Sequence, residues 1–413
     1  MGIELNKEQI YAVYQGESWF RSQTNQVFEI SGPAGSGKTT LILYLIEQLG
    51  LDLDQVLFVA YMGKAACRMA LNGLPAKTIH SAIYKYEKVI ARDEDGKIIY
   101  TENGKVKKVG KFVLKDRIGK GIKLIVLDEG SMVNEEIATD LLSFGIPTIV
   151  LGDLNQLPPV FGKPYFLREP DVILKQVMRQ NEGNPIIYLS QQVLNDKRLN
   201  IGVYGSSEII PKSEIKDSHF SKASIVLTET NRLRWNINNF FREELRGYKQ
   251  LDYPHIGEKV ICRKNNWSRS VDNGIYLTNG MCGFVDDIFK DTYNKKTMTM
   301  DFRPDFTKSV FRNVTFNYPY MYAVPSSALE EESQEIQNYD IFNDRFEYGY
   351  AITTHLSQGS QYQKVLYLNE NMMRTKEDRR RLSYTAITRA INSITIVVWI
   401  FIYYYFVVKY NLC

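Results

Sequence analysis

Residues Gly32 to Thr40 read GPAGSGKTT, a glycine-rich loop with the spacing G-x-x-x-x-G-K-[ST]. Glycines at these positions let successive backbone N–H groups converge on a polyphosphate at the start of a helix, where the helix dipole also favours negative charge. The candidate cradle is Gly32, Pro33, Ala34, Gly35, Ser36, Gly37, Lys38, Thr39 and Thr40. Lys38 would reach the β and γ phosphates, and the Thr39 hydroxyl would complete a magnesium shell. Nucleoside triphosphate is the implied ligand, with Mg2+ beside it.

The flanking pattern supplies the elements such a loop needs. Val27 to Ile30 is strand-forming and Leu41 to Leu49 has helical apolar spacing. A second apolar run, Lys123 to Leu127, ends in Asp128 and Glu129. Ligands gather at the carboxyl ends of buried parallel strands, and two carboxylates there divide the labour. Asp128 would hold the metal, while Glu129 would orient and deprotonate an attacking water, which implies hydrolysis rather than binding alone. A third run, Pro147 to Leu151, leads into GDLNQLPPV; the neutral amide of Gln156 can sense a γ-phosphate without adding charge.

With 413 residues the chain has room for two or three domains. Its net charge of +4 permits a polyanionic partner without demanding one. Distribution says more, because Lys105 to Lys123 holds eight Lys or Arg against the single acid Asp116, either a solvated face or a phosphate-tracking surface. Four cysteines without C-x-x-C spacing suggest neither a zinc site nor a disulfide framework and fit a reducing, cytoplasmic setting. The opening residues are polar, with no secretory signal pattern. Ile394 to Val408 is largely aliphatic and aromatic but shorter than the ~20 residues of a membrane-spanning helix, so no membrane association is expected. Its first part reads as a buried closing strand. The aromatic remainder fits an added packing strand, an interaction tail or a shifted reading frame.

VLDEGSM followed by VLGDLNQLPPV resembles the superfamily 1 helicases of the RecD-like group, which include phage enzymes. The resemblance extends along most of the chain. In LNKEQ, it implies that Gln9 reads adenine. YMGKAACRMA and KTIHSAIY match segments that touch single-stranded DNA, pointing to Lys64, Thr78 and His80. VMRQ supplies Arg179 as a γ-phosphate contact, and RRLSYTAITRA supplies Arg389 as an arginine finger from a second domain. YAITTHLSQGSQY matches a segment linking DNA and nucleotide through Thr354, His355, Ser357 and Gln358, although Leu356 stands where the family usually carries Lys or Arg.

The expected architecture is α/β, with two RecA-like parallel-sheet core domains, a β-hairpin insertion in the first and an SH3-like β-barrel insertion in the second. The first core takes 1–86 and 119–180, and its hairpin takes 87–118. The second takes 181–252 and 344–413, and its insertion takes 253–343. SIVLTETNRLRWNINN, Ser224 to Asn239, reads as a strand and helix repeating the first core's pattern. In the hairpin, DEDG and ENG mark turns, and Ile98, Ile99 and Tyr100 are candidates for a strand-separating pin. Phe311 to Tyr322 is aromatic-rich, which suits core packing better than a stacking platform, and Ser326 to Asp340 is acidic and exposed in character.

The resemblance implies an ATP-dependent DNA helicase moving 5′ to 3′ on single strands. Its partners would be single-stranded DNA, duplex junctions and replication or recombination proteins, and it would work as a monomeric motor. Two alternatives are a motor subunit of a recombination nuclease complex and a DNA-remodelling ATPase that does not unwind.

Overall fold

The computed structural model describes residues 5–93, 96–100, 104–106, 108–159, 162–177, 183–249, 253–271, 275–290, 297–318, 321 and 344–399. Arg179, the acidic stretch Ser326 to Asp340 and the tail beyond Trp399 lie outside the described residues.

The first half contains strands β1 (Val27–Ser31), β2 (Val56–Ala60), β3 (Lys77–Thr78), β4 (Tyr84–Ile90), β5 (Lys108–Leu114), β6 (Leu124–Asp128), β7 (Thr148–Gly152) and β8 (Val172–Ile173). Six of them form a parallel sheet in the order β3-β2-β6-β7-β1-β8. Every residue of β2, β6 and β7 is buried, as continuous apolar runs covered on both faces require. Helices α1 (Lys7–Ser22), α2 (Lys38–Gln48) and α3 (Gly63–Leu71) build the core on one face. Helices α4 (Ile79–Ile83) and α5 (Glu135–Leu142) cover the other. Because β6, β7 and β1 are neighbours, their carboxyl ends set Asp128, the Gly152 loop and the phosphate loop side by side.

Strands β4 and β5 leave this sheet as a separate antiparallel ladder from Tyr84↔Leu114 to Ile90↔Lys108. Beyond it, isolated bridges join Arg92 to Ile98 and Tyr100 to Val106. Ile98–Tyr100 is therefore a short middle segment between two turns, and Tyr100 is 58% exposed.

The second half opens with α6 (Pro185–Leu194), β9 (Gly202–Tyr204), β10 (Ser207–Pro211), α7 (Asp217–Lys222), β11 (Ile225–Thr228) and α8 (Asn231–Phe240). Next come β12 (Lys259–Cys262), β13 (Asn266–Val271), β14 (Ile275–Leu277), β15 (Cys282–Lys290), β16 (Thr297–Pro304), β17 (Phe311–Asn317) and β18 (Phe346–Tyr348). The chain returns through β19 (Ala351–Thr353), β20 (Tyr362–Asn369), α9 (Lys376–Ile387) and β21 (Ala390–Val398).

A second sheet, β19-β11-β20-β21-β10-β9, is parallel except for β9. Its central order β11-β20-β21-β10 repeats the β2-β6-β7-β1 arrangement of the first. The strand and helix read from Ser224 to Asn239 are β11 and α8. The intervening residues form a five-stranded antiparallel sheet, β17-β16-β15-β12-β18, and a β13-β14 ribbon. Its closing strand, Phe346–Tyr348, comes from beyond 343, the position at which the return to the second core was expected, because β12 pairs with it directly. Phe311, Val314 and Phe316 point into the core, so these aromatic residues pack rather than offer a platform.

One buried ion pair ties this sheet to α8. A π-helical turn, Phe241–Leu245, continues α8 and carries Arg242, whose Nε donates to Glu258 Oε1 at 2.9 Å with side chains 1% and 0% exposed. His255 N also donates to Glu258, at 2.8 Å, and the Arg242 guanidinium lies 4.1 Å from the Tyr348 ring centre. Removing one partner of such a pair leaves a charge with no water to stabilise it. Arg242→Ala is therefore expected to destabilise the protein by about 3–5 kcal/mol, read from urea unfolding. A loss below about 1 kcal/mol would show that the pair behaves like a surface contact.

Candidate nucleotide site between the two cores

The phosphate loop leaves β1 at Ser31 and enters α2 at Lys38. Gly35 (φ 86°) and Gly37 (φ 80°) take left-handed conformations that favour glycine. At Gly32 a Cβ would fall 2.7 Å from Ser36 Oγ and 2.9 Å from Leu174 Cβ, so only glycine fits. Lys38 Nζ donates to the carbonyls of Gly32 (2.5 Å) and Pro33 (3.1 Å), which holds the ammonium at the loop mouth. Gln9 is buried behind the loop: its Nε2 donates to Ser36 O at 3.2 Å and its Oε1 accepts from Asn6 N. It thus braces the loop, and its carboxamide oxygen is occupied by the cap of α1.

Asp128 and Glu129 end β6 with the backbone of Glu129 left-handed (φ 56°). The next residue has no room to be anything but glycine, since a Cβ on Gly130 would sit 2.3 Å from Val150 Cγ1. This packing turns the chain sharply and directs both carboxylates at the loop. Asp128 Oδ1 accepts from Glu129 N at 2.9 Å, and Oδ2 lies 3.9 Å from Arg68 Nη2. Burial, then the neighbouring Asp128, raise the pKa of Glu129 above the usual carboxylate range, against the pull of Arg389, Arg68 and Lys38.

The second core closes the cleft. Arg389 follows α9, is buried, and is anchored through Nε to Thr385 O (3.0 Å) and Nη1 to Ser360 O (3.3 Å). Together with Ala34 to Thr40, Asp128, Glu129, Gly152 and Gln156, it lines a cleft of about 360 Å3. Three hydrogen bonds pin the Gly152 loop to the second core. Tyr384 donates to Asp153 Oδ2 (2.7 Å), Leu157 N to Thr385 Oγ1 (3.1 Å), and Gln358 Nε2 to Leu157 O (3.0 Å). Burial and the Asp153 carboxylate push the Tyr384 phenol well up, so it stays a donor.

The cleft suits a magnesium triphosphate. Ser36 Oγ and Gln156 Oε1 are buried with no hydrogen-bond partner among the described residues. The available metal donors, Thr39 hydroxyl and Asp128 carboxylate, are hard oxygens that leave positions for phosphate and water. No cluster of three or more His, Cys, Asp or Glu that could hold a metal ion occurs among the described residues.

The expected DNA contacts are arranged differently from one another. His80 and His355 are partly exposed, and burial lowers both imidazole pKa values, which leaves them neutral hydrogen-bonding groups at pH 7. Thr78 is buried as the N-cap of α4. Thr354, Ser357 and Gln358 are buried in the turn after β19, their side chains bonded to backbone carbonyls. Lys64 is buried too, with Nζ 3.3 Å from Tyr362 Oη and 3.4 Å from Cys282 Sγ. None of these five side chains presents an open face. Sequence reasoning passed over Arg68 and Asn72, which also line the cleft. Their signal was the i, i+4, i+8 spacing from Lys64 along the helix.

With that geometry established, the sequence matches the AAA domain family over residues 15–162 and the UvrD-like helicase C-terminal domain family over residues 348–397. The ATP-dependent RecD2 DNA helicase of Deinococcus radiodurans is 26% identical, covering 87% of this chain and 45% of its own. The ATP-dependent DNA helicase dda of phage T4 is 31% identical over 41% of this chain and 38% of its own. This chain is thus similar to superfamily 1 helicases of the RecD/Pif1/Dda type. It spans less than half the length of these curated relatives. The fold is shared with a solved structure: Bacteroides Pif1 helicase with ADP-AlF3 and single-stranded DNA aligns at TM-score 0.55 and 18% identity, covering 97% of this chain and 94% of that one. Among the described residues, no helix is long and apolar enough to cross a membrane.

The Asp153–Tyr384 contact is a charge-assisted hydrogen bond between two buried groups. Tyr384→Phe is expected to lower unfolding stability by about 1.5–3 kcal/mol, with nucleotide affinity changed less than twofold. An unchanged urea midpoint would mean that Asp153 is satisfied from its own loop.

Proposed function

We propose that this protein is an ATP-driven DNA helicase that translocates on single strands and displaces the complement. The observation that carries the proposal is the composite cleft, in which the phosphate loop and Glu129 of one parallel-sheet core face Arg389 of the other. A site split across two bodies couples bond cleavage to their relative movement. The RecD2 and dda relatives, named as DNA helicases, support DNA as the track.

In this reading the loop amides and Lys38 bind the β and γ phosphates of ATP, with Gln9 bracing the loop for the base. Asp128 and Thr39 would hold Mg2+, which would supply positive charge to offset that of the bound phosphates. Glu129, with its raised pKa, takes the proton of the attacking water, and Gln156 hydrogen-bonds the γ-phosphate region. Arg389 stabilises charge on the transferred phosphoryl group, and Arg179 is assigned a second contact to it. DNA is assigned to the surface formed by the segments of Lys64, Thr78, His80 and Thr354 to Gln358. His80 and His355 are its partly exposed side chains, and the buried members hold the backbone in place. The five-stranded sheet and its ribbon act as the SH3-like module, and the β4–β5 extension as the pin. Polarity is assigned as 5′ to 3′, and the motor as a monomer using ATP and Mg2+ in the cytoplasm, alongside replication or recombination proteins.

Glu129→Gln keeps the shape of the carboxylate but cannot accept the proton. ATP binding is expected to persist while single-strand-stimulated turnover falls by about 10²-fold or more. Loss of binding together with turnover would reassign Glu129 to metal holding. The wild-type chain on 5′-tailed, 3′-tailed and blunt duplexes should displace only the 5′-tailed strand. DNA-stimulated hydrolysis without displacement would instead support a remodelling ATPase.

The pin assignment has its own measurement. Tyr100→Ala is expected to slow strand displacement several-fold and to leave single-strand-stimulated ATP hydrolysis within about twofold. If both fall together, Tyr100 supports the first core and is no wedge.

A further inference from the structure

We propose that the protein has a second anion site, for the orthophosphate that hydrolysis releases, in a cavity behind the nucleotide cleft. The proposal rests on the ATPase reading above. The cavity, of about 340 Å3, lies where the Gly152 loop meets α9 and is lined by Ser131, Asn155, Gln156, Arg168, Arg380 and Arg381, among others. Gln156 lines this cavity and the nucleotide cleft alike, so it is the partition between them.

Three features of the lining select an anion of phosphate type. Three guanidiniums face it and no carboxylate lines it. Two donors on the lining, Ser131 Oγ in a residue 6% exposed and Arg380 Nε, have no hydrogen-bond partner among the described residues. Buried polar atoms left this way are costly unless a ligand or water completes them. Glu377 receives Arg380 Nη2 and Arg381 Nε at 2.7 Å, one carboxylate against the three arginines. Arg168 is held by Nε to Pro164 O at 2.8 Å.

Position supplies the functional reason. The γ-phosphate of a bound triphosphate is cleaved beside Gln156, while Arg389 and Lys38 close the other side. An orthophosphate formed there moves past the Gln156 amide into a hydroxyl- and guanidinium-lined space without passing ADP. The cavity has walls from both cores, Ser131 and Gln156 on one and Arg380 and Arg381 on the other, so its capacity for phosphate depends on how the cores are joined.

The test measures retention of ³²P-orthophosphate by the whole protein saturated with a non-hydrolysable ATP analogue, which fills the γ position. About one phosphate per chain is expected to remain bound. Arg381→Ala should weaken it about tenfold, as loss of a charge-assisted bond does. Ser131→Ala should weaken it several-fold, and analogue affinity should stay within twofold in both. The proposal is overturned if the analogue displaces all phosphate, or if Arg381→Ala, folded by its melting profile, binds phosphate as the parent does. Analogue binding is followed in the same samples with a fluorescent nucleotide. Its failure would sink the ATPase reading; phosphate retention that is weakened by Arg381→Ala and unchanged by Lys38→Ala would then still report on the anion site.

Discussion

The carboxylate of Asp153 is 1% exposed and sits where the two cores meet. A charge so far from water needs donors, and it draws them from both sides: Asn155 N and Gln156 Nε2 from its own loop, and the Tyr384 hydroxyl from α9. Because Gln156 is held by the same oxygen that holds Tyr384, the Gln156 side of the cleft is bonded to both cores. The flanking bonds from Leu157 to Thr385 and Gln358 extend the seam without adding charge.

Much of this was legible in the chain because the local signals were backbone signals. The phosphate loop is written in glycines, and the strands β6 and β7 in unbroken apolar runs, so Lys38, Asp128, Glu129 and Gln156 fall together once the strand order is known. Arg389 needed the family pattern, since a Thr-Arg-Ala tripeptide says nothing by itself. Lys64, Thr78, Thr354, Ser357 and Gln358 show the opposite case. Polar residues near a ligand and polar residues that cap turns or seal an interface have the same composition, and only the hydrogen-bond partners separate them. Arg68 stayed hidden because its partner, Asp128, is sixty positions away and on another element. The Phe346–Tyr348 strand was missed because strand pairing in an inserted sheet is set by register, which three residues cannot announce.

The second core is tied to its insertion by groups buried as deeply as those in the cleft. Arg242 and Glu258 do this on one side. On the other, Lys64 of the first core reaches Tyr362 of β20 and Cys282 of β15 at once. Three parts of the chain meet at that ammonium, which makes the inserted sheet a structural neighbour of both cores.

Helix α3 touches both the inserted sheet and the nucleotide cleft. Gly63 approaches Thr278 so closely that a Cβ would fall 2.3 Å from it, and Cys67 is packed in the inserted sheet's core, while Arg68 and Asn72 border the nucleotide cleft. Nine residues of α-helix extend about 13 Å, so one short rod borders the nucleotide cleft with one end and abuts the inserted sheet with the other.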